Sequence, residues 1–162
     1  MSTQTLAPNH EQALCLAEAG KHQEAFDLIE THLQQSPQDS EAINDAGVIL
    51  HCLDRSSDAI EYLQRARGLD GKNPEITWNL VEAYLAEARA DEAKALLGEM
   101  EASETIHIES LNRAADIFIN ENKLADALEL LEWSLRLQPN QEILEPICVV
   151  LHHKINDQLA AS

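Results

Sequence analysis

The chain has 162 residues, enough for one domain with a hydrophobic core of ordinary size. Its 29 Asp and Glu residues against 11 Lys and Arg residues give a formal net charge of −18, which excludes nucleic acid and anionic membrane surfaces as favoured partners. Hydrophobic residues make up 44% of the sequence and aromatic residues only 4%, a composition that excludes a disordered acidic tail and indicates a helical protein with a core of Leu, Ala and Ile.

The first twenty residues, MSTQTLAPNHEQALCLAEAG, lack the basic start and the long apolar run of a secretory signal. The longest strongly apolar stretch of the chain, 147–151, is too short to cross a membrane. The three cysteines, Cys15, Cys52 and Cys148, have no metal-type spacing and favour a reducing compartment. We therefore expect a soluble cytoplasmic protein.

Four segments of one pattern follow each other along the chain. Each segment has an alanine at the same point of the pattern, and these alanines recur every 34 residues, at Ala25, Ala59, Ala93 and Ala127. Small residues precede each alanine at a fixed distance, and larger apolar residues stand before and after it. The pattern predicts a helical hairpin in each segment, in which small residues let two antiparallel helices approach and larger residues fill the space to the next hairpin.

Turn and cap residues follow the same period. The turn inside each hairpin is predicted at one position of the pattern, occupied by Gly20, Asp54, Ala88 and Asn122. Asn73 and Pro74 predict a helix N-cap followed by the first helical turn, and Pro37 and Pro139 follow second helices. The predicted repeats are about 6–39, 40–73, 74–107 and 108–141.

The third repeat is the least regular of the four. Lys94 and Glu101 stand in its second helix where the other repeats mostly have apolar residues, and Thr105 stands where a proline would close the hairpin. We predict that the segment from Glu101 to His107 is the least protected joint inside the repeats, measured by amide exchange against residues 60–67.

One more helix is predicted after the fourth repeat, at about 142–159. Its apolar residues lie on one face, which suits a helix that covers the last hairpin: Ile143, Ile147, Val150, Leu151 and Ile155.

The period and these residues resemble the tetratricopeptide repeat (TPR) family over about residues 6–141. The resemblance is clearest in WNLVEAY at 78–84 and INDAGVIL at 43–50, each followed by its anchor alanine. It implies an all-α fold, a right-handed α-solenoid of four TPR hairpins plus a C-terminal capping helix, within a single domain of residues 1–162. It implies no particular chemistry, because members of the family share a scaffold rather than an activity.

In the TPR arrangement, the first helix of each hairpin lines an inner groove. The resemblance therefore implies a partner-binding groove formed by His10, Leu14, Asn44, Val48, His51, Trp78, Asn79, Glu82, Leu85, Asn112, Arg113, Asp116 and Ile119. Trp78 either anchors a partner in this groove or packs between the helices, because one position on a helix changes direction by roughly 100°. The mixed apolar and acidic character favours a partner protein or peptide with Lys or Arg beside apolar anchors.

Catalytic, cofactor and metal sites are not expected. The glycines form no phosphate-binding loop, and the adjacent His152 and His153 diverge on a helix instead of meeting at one metal ion. The sequence predicts a non-enzymatic adaptor that binds a segment of a partner protein and supports assembly of a multiprotein complex. The alternatives are a self-associating structural scaffold, which would make the chain a homo-oligomer, and a chaperone of the secretion translocator type.

Overall fold

The computed structural model describes residues 8–161, so residues 6 and 7, at the predicted start of the first repeat, lie outside it. Within residues 8–161 the chain forms nine α-helices and no β-strand. The helices are α1 (Pro8–Glu18), α2 (His22–Gln35), α3 (Ser40–Cys52), α4 (Ser56–Leu69), α5 (Pro74–Ala86), α6 (Ala90–Ala102), α7 (Ile108–Asn120), α8 (Leu124–Leu137) and α9 (Leu144–Ala160).

The chain divides into two compact units, Met1–Ala83 (unit 1) and Tyr84–Ser162 (unit 2), with the boundary inside α5. In unit 1, α1 packs against α2 and α3 packs against α4, while α1 and α2 also contact α3. In unit 2, α7 packs against α8, α6 contacts α7, and α8 contacts α9. Within each unit, most of these contacts join helices that follow each other in sequence, as expected of hairpins with short connections.

The hairpin turns have the conformation that the sequence predicts. The φ angle is left-handed at all four predicted positions, with values of 76°, 57°, 54° and 59° at Gly20, Asp54, Ala88 and Asn122. The residue after each turn position donates its backbone N–H to the carbonyl five residues earlier, which pairs a carbonyl left open at the helix end. Glycine, aspartate and asparagine tolerate this conformation, whereas alanine adopts it against its preference.

The predicted cap of α5 is also confirmed. The helix begins at Pro74, and the side-chain oxygen of Asn73 accepts a hydrogen bond from the Glu75 N–H at 3.0 Å. This bond satisfies one of the free N–H groups of the first turn. Pro37 and Pro139 lie within two residues of the ends of α2 and α8, where proline opposes continuation of the helix.

Small residues bring the helices of each hairpin together. The four anchor alanines are fully buried. Gly47 of α3 is also buried. A Cβ atom at Gly47 would lie 2.7 Å from Cγ of Leu63 in α4, so no larger residue fits there without movement of Leu63. The predicted role of small residues is thereby observed directly for α3 and α4.

Helix α9 buries part of the predicted stripe, because Leu151 is buried and Ile147 and Ile155 are half-buried. Leu144, Cys148 and Leu151 are buried, whereas Ile143 and Val150 are 78% and 51% exposed. The difference amounts to about one position along the helix, which corresponds to a rotation of roughly 100°. No helix between residues 8 and 161 is both long enough and apolar enough to cross a membrane.

Candidate functional site

The predicted groove residues differ widely in exposure. Three of them are buried, namely His10, Asn44 and Leu85. Eight are half-buried, namely Leu14, Val48, His51, Trp78, Asn79, Glu82, Asn112 and Ile119. Two are exposed, namely Arg113 and Asp116. The expectation that all thirteen lie on an exposed face is therefore wrong for the three buried residues, and whether any of them contacts a partner stays a prediction.

Hydrogen bonds between successive first helices explain why two of these residues are buried. Nε2 of His10 in α1 lies 2.7 Å from Oδ2 of Asp45 in α3. Nδ2 of Asn79 in α5 donates to Oδ1 of Asn44 in α3 at 3.0 Å. Each pair is separated by 35 residues, one repeat plus one position. These side chains therefore hold neighbouring helices together in unit 1.

His10 belongs to a buried polar cluster that the sequence did not predict. Its ring stacks on that of His32, with the ring centroids 5.4 Å apart, and Nε2 of His32 lies 2.8 Å from Oδ2 of Asp39. Oδ1 of Asp39 also accepts the Ala42 N–H at the start of α3. The hydrogen bond to Asp45 raises the pKa of His10 above its ordinary value.

The carboxyl group of Asp39 is held in its ionised form. Burial alone would raise its pKa, but the hydrogen bonds from His32 and from the Ala42 amide outweigh burial, so the pKa lies below its usual range. A carboxylate and two imidazoles thus meet where α1, α2 and the start of α3 come together.

An acidic cavity of about 380 Å³ lies at the N-terminal ends of α3 and α5 in unit 1. All of its lining residues are polar, and four carry carboxylates: Ser40, Glu41, Asn44, Asp45, Asp70, Asn73 and Glu75. Glu41 and Glu75 occupy first helical turns, where the helix dipole stabilises negative charge. None of the lining residues is basic, so the cavity presents carboxylate and amide oxygens that a cationic group from outside can bind.

The predicted residues of unit 2 lie on α5 and α7. Nδ2 of Asn112 donates to Oε1 of Gln141 at 3.0 Å, which ties α7 to the segment before α9. Arg113 and Asp116 are exposed on α7, and Ile119 is half-buried near its end.

A second cavity, of about 520 Å³, lies between α6 and α8 in unit 2. Ala95 and Gly98 leave this space open, since a Cβ atom at Gly98 would meet nothing within 4 Å. Across the cavity, Nε1 of Trp133 donates to Oε1 of Glu101 at 2.8 Å. Nζ of Lys94 donates to the carboxylates of Asp126 and Glu129, at 3.0 and 2.6 Å.

Lys94 and Glu101, the polar residues of the irregular third repeat, therefore connect α6 to α8. Burial alone would lower the pKa of Lys94, but its hydrogen bonds to Glu129 and Asp126 outweigh burial and raise it. Glu101 and Trp133 are separated by 32 residues, as are Lys94 and Asp126, and as are Glu30 and Tyr62 in unit 1. This spacing, two positions less than a repeat, is the sequence signal by which such pairs are recognisable.

Comparison with known proteins identifies the repeat type. Residues 53–107 match the model of the tetratricopeptide repeat family. No curated protein matches the chain in sequence. Two solved structures of MamA have the same fold. The structure of MamA AMB-1 is 18% identical in sequence to this chain and has a TM-score of 0.74, and the alignment covers 91% of this chain and 81% of MamA. The structure of MamA MSR-1 is also 18% identical and has a TM-score of 0.72, and the alignment covers 94% of this chain and 88% of MamA.

A third solved structure, YrrB, is described as a TPR protein with an unusual peptide-binding site. It is 20% identical to this chain with a TM-score of 0.73, and the alignment covers 86% of this chain and 72% of YrrB. Similarities at this level of identity concern the fold alone, and they confirm the predicted all-α fold class. The described residues therefore have the fold of tetratricopeptide repeat proteins, and residues 53–107 carry the sequence of that family.

Proposed function

We propose that this chain is a non-enzymatic interaction protein of the cytoplasm that binds a segment of a partner protein and brings it into a multiprotein complex. The acidic cavity of unit 1 is the observation that carries the proposal. It has four carboxylates, of which Asp45 already pairs with His10, and no basic side chain, so it favours a partner segment that contains Lys or Arg.

The cavity chemistry suits a basic side chain in an extended peptide. An ammonium or guanidinium group brings several N–H donors to a site that offers carboxylate and amide oxygens, and charge-assisted hydrogen bonds of this kind are among the strongest in proteins. The net charge of −18 also raises the rate at which a cationic segment approaches.

We also expect the partner segment to contain apolar residues. Val48 and Trp78 are half-buried on α3 and α5, the two helices that also supply cavity residues. A partly exposed tryptophan is the residue type most enriched at interface hot spots. We therefore expect a segment with Leu, Ile or Phe next to the basic residue. The peptide-binding site of YrrB supports a peptide as the ligand class.

Peptide binding measured by fluorescence anisotropy tests this proposal. We expect a peptide with alternating Lys and Leu to bind, with affinity that falls as salt rises, and the matched Glu-Leu peptide not to bind. The variant Glu41→Lys with Glu75→Lys should weaken binding by about tenfold or more. The control Glu61→Lys with Glu145→Lys makes the same change in net charge at exposed positions of α4 and α9, and it should bind within about twofold of the wild type.

Equal losses in the cavity double variant and its control would mean that overall charge, and not the cavity, governs binding. Trp78→Ala should also reduce affinity without unfolding the protein. The pair Glu82→Lys and Asp116→Lys tests the remaining acidic groove predictions in the same assay. Unchanged binding in all of these variants would place the partner site elsewhere on the chain.

A second function, self-association as a structural scaffold, is favoured by the exposed apolar residues of the α9 region. Ile143, Val149 and Leu159 are 78%, 57% and 70% exposed. Exposed apolar side chains mark an association surface where they form one continuous patch. Light scattering distinguishes the two functions, because a scaffold gains mass with concentration and the proposed adaptor stays at one chain. In a scaffold, Val149→Lys should reduce that mass.

A further inference from the structure

The largely buried cluster around His10 in unit 1 is a candidate ligand site next to the acidic cavity, and the two share Asp45. His10 is 1% exposed and His32 is 5% exposed, and they belong to different helices of the first hairpin. One donor atom each from His10, His32 and Asp39 lies within 4.8 Å of the other two. A repeat that needed only packing at these positions would carry apolar residues, as the other buried positions of α1 and α2 do.

One buried atom of this cluster has no hydrogen-bond partner. Nδ1 of His10 is shielded from solvent and unpaired, while Nε2 of the same ring is bonded to Asp45. A buried polar atom without a partner is destabilising, and native proteins rarely retain one without a reason. The pairing of Nε2 with a carboxylate favours the tautomer that carries its proton there, which leaves a lone pair on Nδ1.

This arrangement matches the environment of a metal-binding histidine. Such histidines coordinate the metal through one ring nitrogen and donate the N–H of the other to a carboxylate, which fixes the orientation of the ring. We propose that His10, His32 and Asp39 bind a divalent metal ion of the Zn²⁺ type, with Asp45 as the residue that positions His10. Two imidazoles and one carboxylate form a ligand set typical of zinc and unsuited to Mg²⁺ or Ca²⁺, which take oxygen ligands.

The distances define what binding must change. Nε2 of His32 and Oδ2 of Asp39 are joined by a hydrogen bond of 2.8 Å, so a bound ion must replace this bond and move the two atoms to about 3.3 Å, the separation of two ligands in a tetrahedral Zn²⁺ site. The His10 and His32 rings are stacked with an angle of 24° between their planes, so one ring must rotate for both to point at the same ion. Metal binding would thereby connect α1, α2 and the N-cap of α3 through one centre.

Zinc titration of the full chain tests the proposal. After removal of metals with a chelator, we expect one Zn²⁺ to bind per chain by calorimetry, and Co²⁺ to give the visible absorption bands of a low-coordinate site. Zn²⁺ should also shift the imidazole NMR signals of His10 and His32 in the wild-type protein. This last measurement needs no variant and remains decisive if a substitution prevents folding.

Matched variants locate the bound ion. His32→Gln and Asp39→Asn should each weaken Zn²⁺ binding by about tenfold or more, and asparagine preserves the N-cap of α3. Asp45→Asn should weaken it by about tenfold while Co²⁺ retains its spectrum, as expected of a positioning residue. In the control, His152→Gln with His153→Gln removes two exposed histidines of α9 and should leave binding unchanged. The proposal is overturned if Zn²⁺ does not bind, if it binds only through His152 and His153, or if the signals of His10 and His32 do not move.

Discussion

The second helices of the hairpins meet through different chemistry in the two units. In unit 1, Phe26 of α2 packs edge-on against Tyr62 of α4 at 5.9 Å, and the Tyr62 hydroxyl donates to Glu30. In unit 2, the Phe26 position of the repeat is taken by Lys94, which bonds to two carboxylates of α8. The same repeat geometry therefore accommodates an aromatic contact or an ionic one, and the two should respond differently to mutation and to salt.

The largest difference should appear on truncation to alanine. Phe26→Ala removes apolar burial and the ring contact, and we expect it to lower the free energy of unfolding by about 2–3 kcal/mol, since Phe26 is only half-buried. Lys94→Ala removes ion pairs that are partly open to solvent and should cost less than about 1 kcal/mol. Chemical denaturation of both variants measures the difference. A larger loss for Lys94→Ala would show that the ionic contact is the stronger one.

The hairpin turns allow a reciprocal exchange between the units. Gly20 in unit 1 and Ala88 in unit 2 occupy the same turn position, with φ of 76° and 54°. Ala88→Gly should raise stability by about 1 kcal/mol, because glycine adopts a left-handed φ without strain. Gly20→Ala should lower stability by a similar amount, since a Cβ atom at this position has open space and only the backbone conformation opposes it. Changes of the same sign in the two variants would contradict this explanation.

The coupling energies of the two contacts, measured by double-mutant cycles, should depend differently on salt concentration. For Lys94→Met with Glu129→Gln we expect a coupling energy of about 0.5 kcal/mol at low salt, falling towards zero near about 1 M salt. For Tyr62→Phe with Glu30→Gln the coupling should change less, because only one partner is charged. A salt-independent Lys94 coupling would mean that the ion pair is better shielded than its exposure indicates.

A pH-dependent effect concerns the ionisation of Tyr62. Burial and the hydrogen bond to Glu30 raise the pKa of Tyr62 to about 12, so its protonated form is favoured in the folded state. The contribution of this group to stability is complete below about pH 10 and is lost as the pH rises from about 10 to about 12. An ultraviolet titration of the Tyr84→Phe variant isolates Tyr62. Glu30→Ala removes the acceptor and should lower this pKa, and an unchanged value would exclude the hydrogen bond as a cause.

The sequence predicts features that depend on local backbone preferences. The four turn positions and the Asn73 cap follow from rules that involve neighbouring residues only, and the structure confirms them. The placement of side chains between helices was predicted less well. An error of one position rotates a residue by roughly 100°, as for Val150 of α9, which is exposed contrary to expectation. His10 is buried because it pairs with Asp45 of α3, a contact between helices that no local rule predicts.

The spacing of residues in the sequence does not predict the cluster of His10, His32 and Asp39. Its residues come from α1, α2 and the connection to α3, and none of them forms a recognised ligand motif with another. By sequence, Lys94 and Glu101 indicate an irregular repeat, whereas in the structure both side chains bond to residues of α8. The low amide protection predicted for Glu101 to His107 remains a prediction. It is consistent with the turn after α6, which is not helical, and amide exchange would test it.

The proposal that unit 1 holds a basic peptide segment is tested most directly by NMR mapping of the bound peptide. On titration of the isotope-labelled chain with the Lys-Leu peptide, we expect chemical shift changes centred on the amides of residues 40–45 and 70–79, which surround the acidic cavity. Changes confined to α9, or changes of equal size with the Glu-Leu peptide, would contradict it.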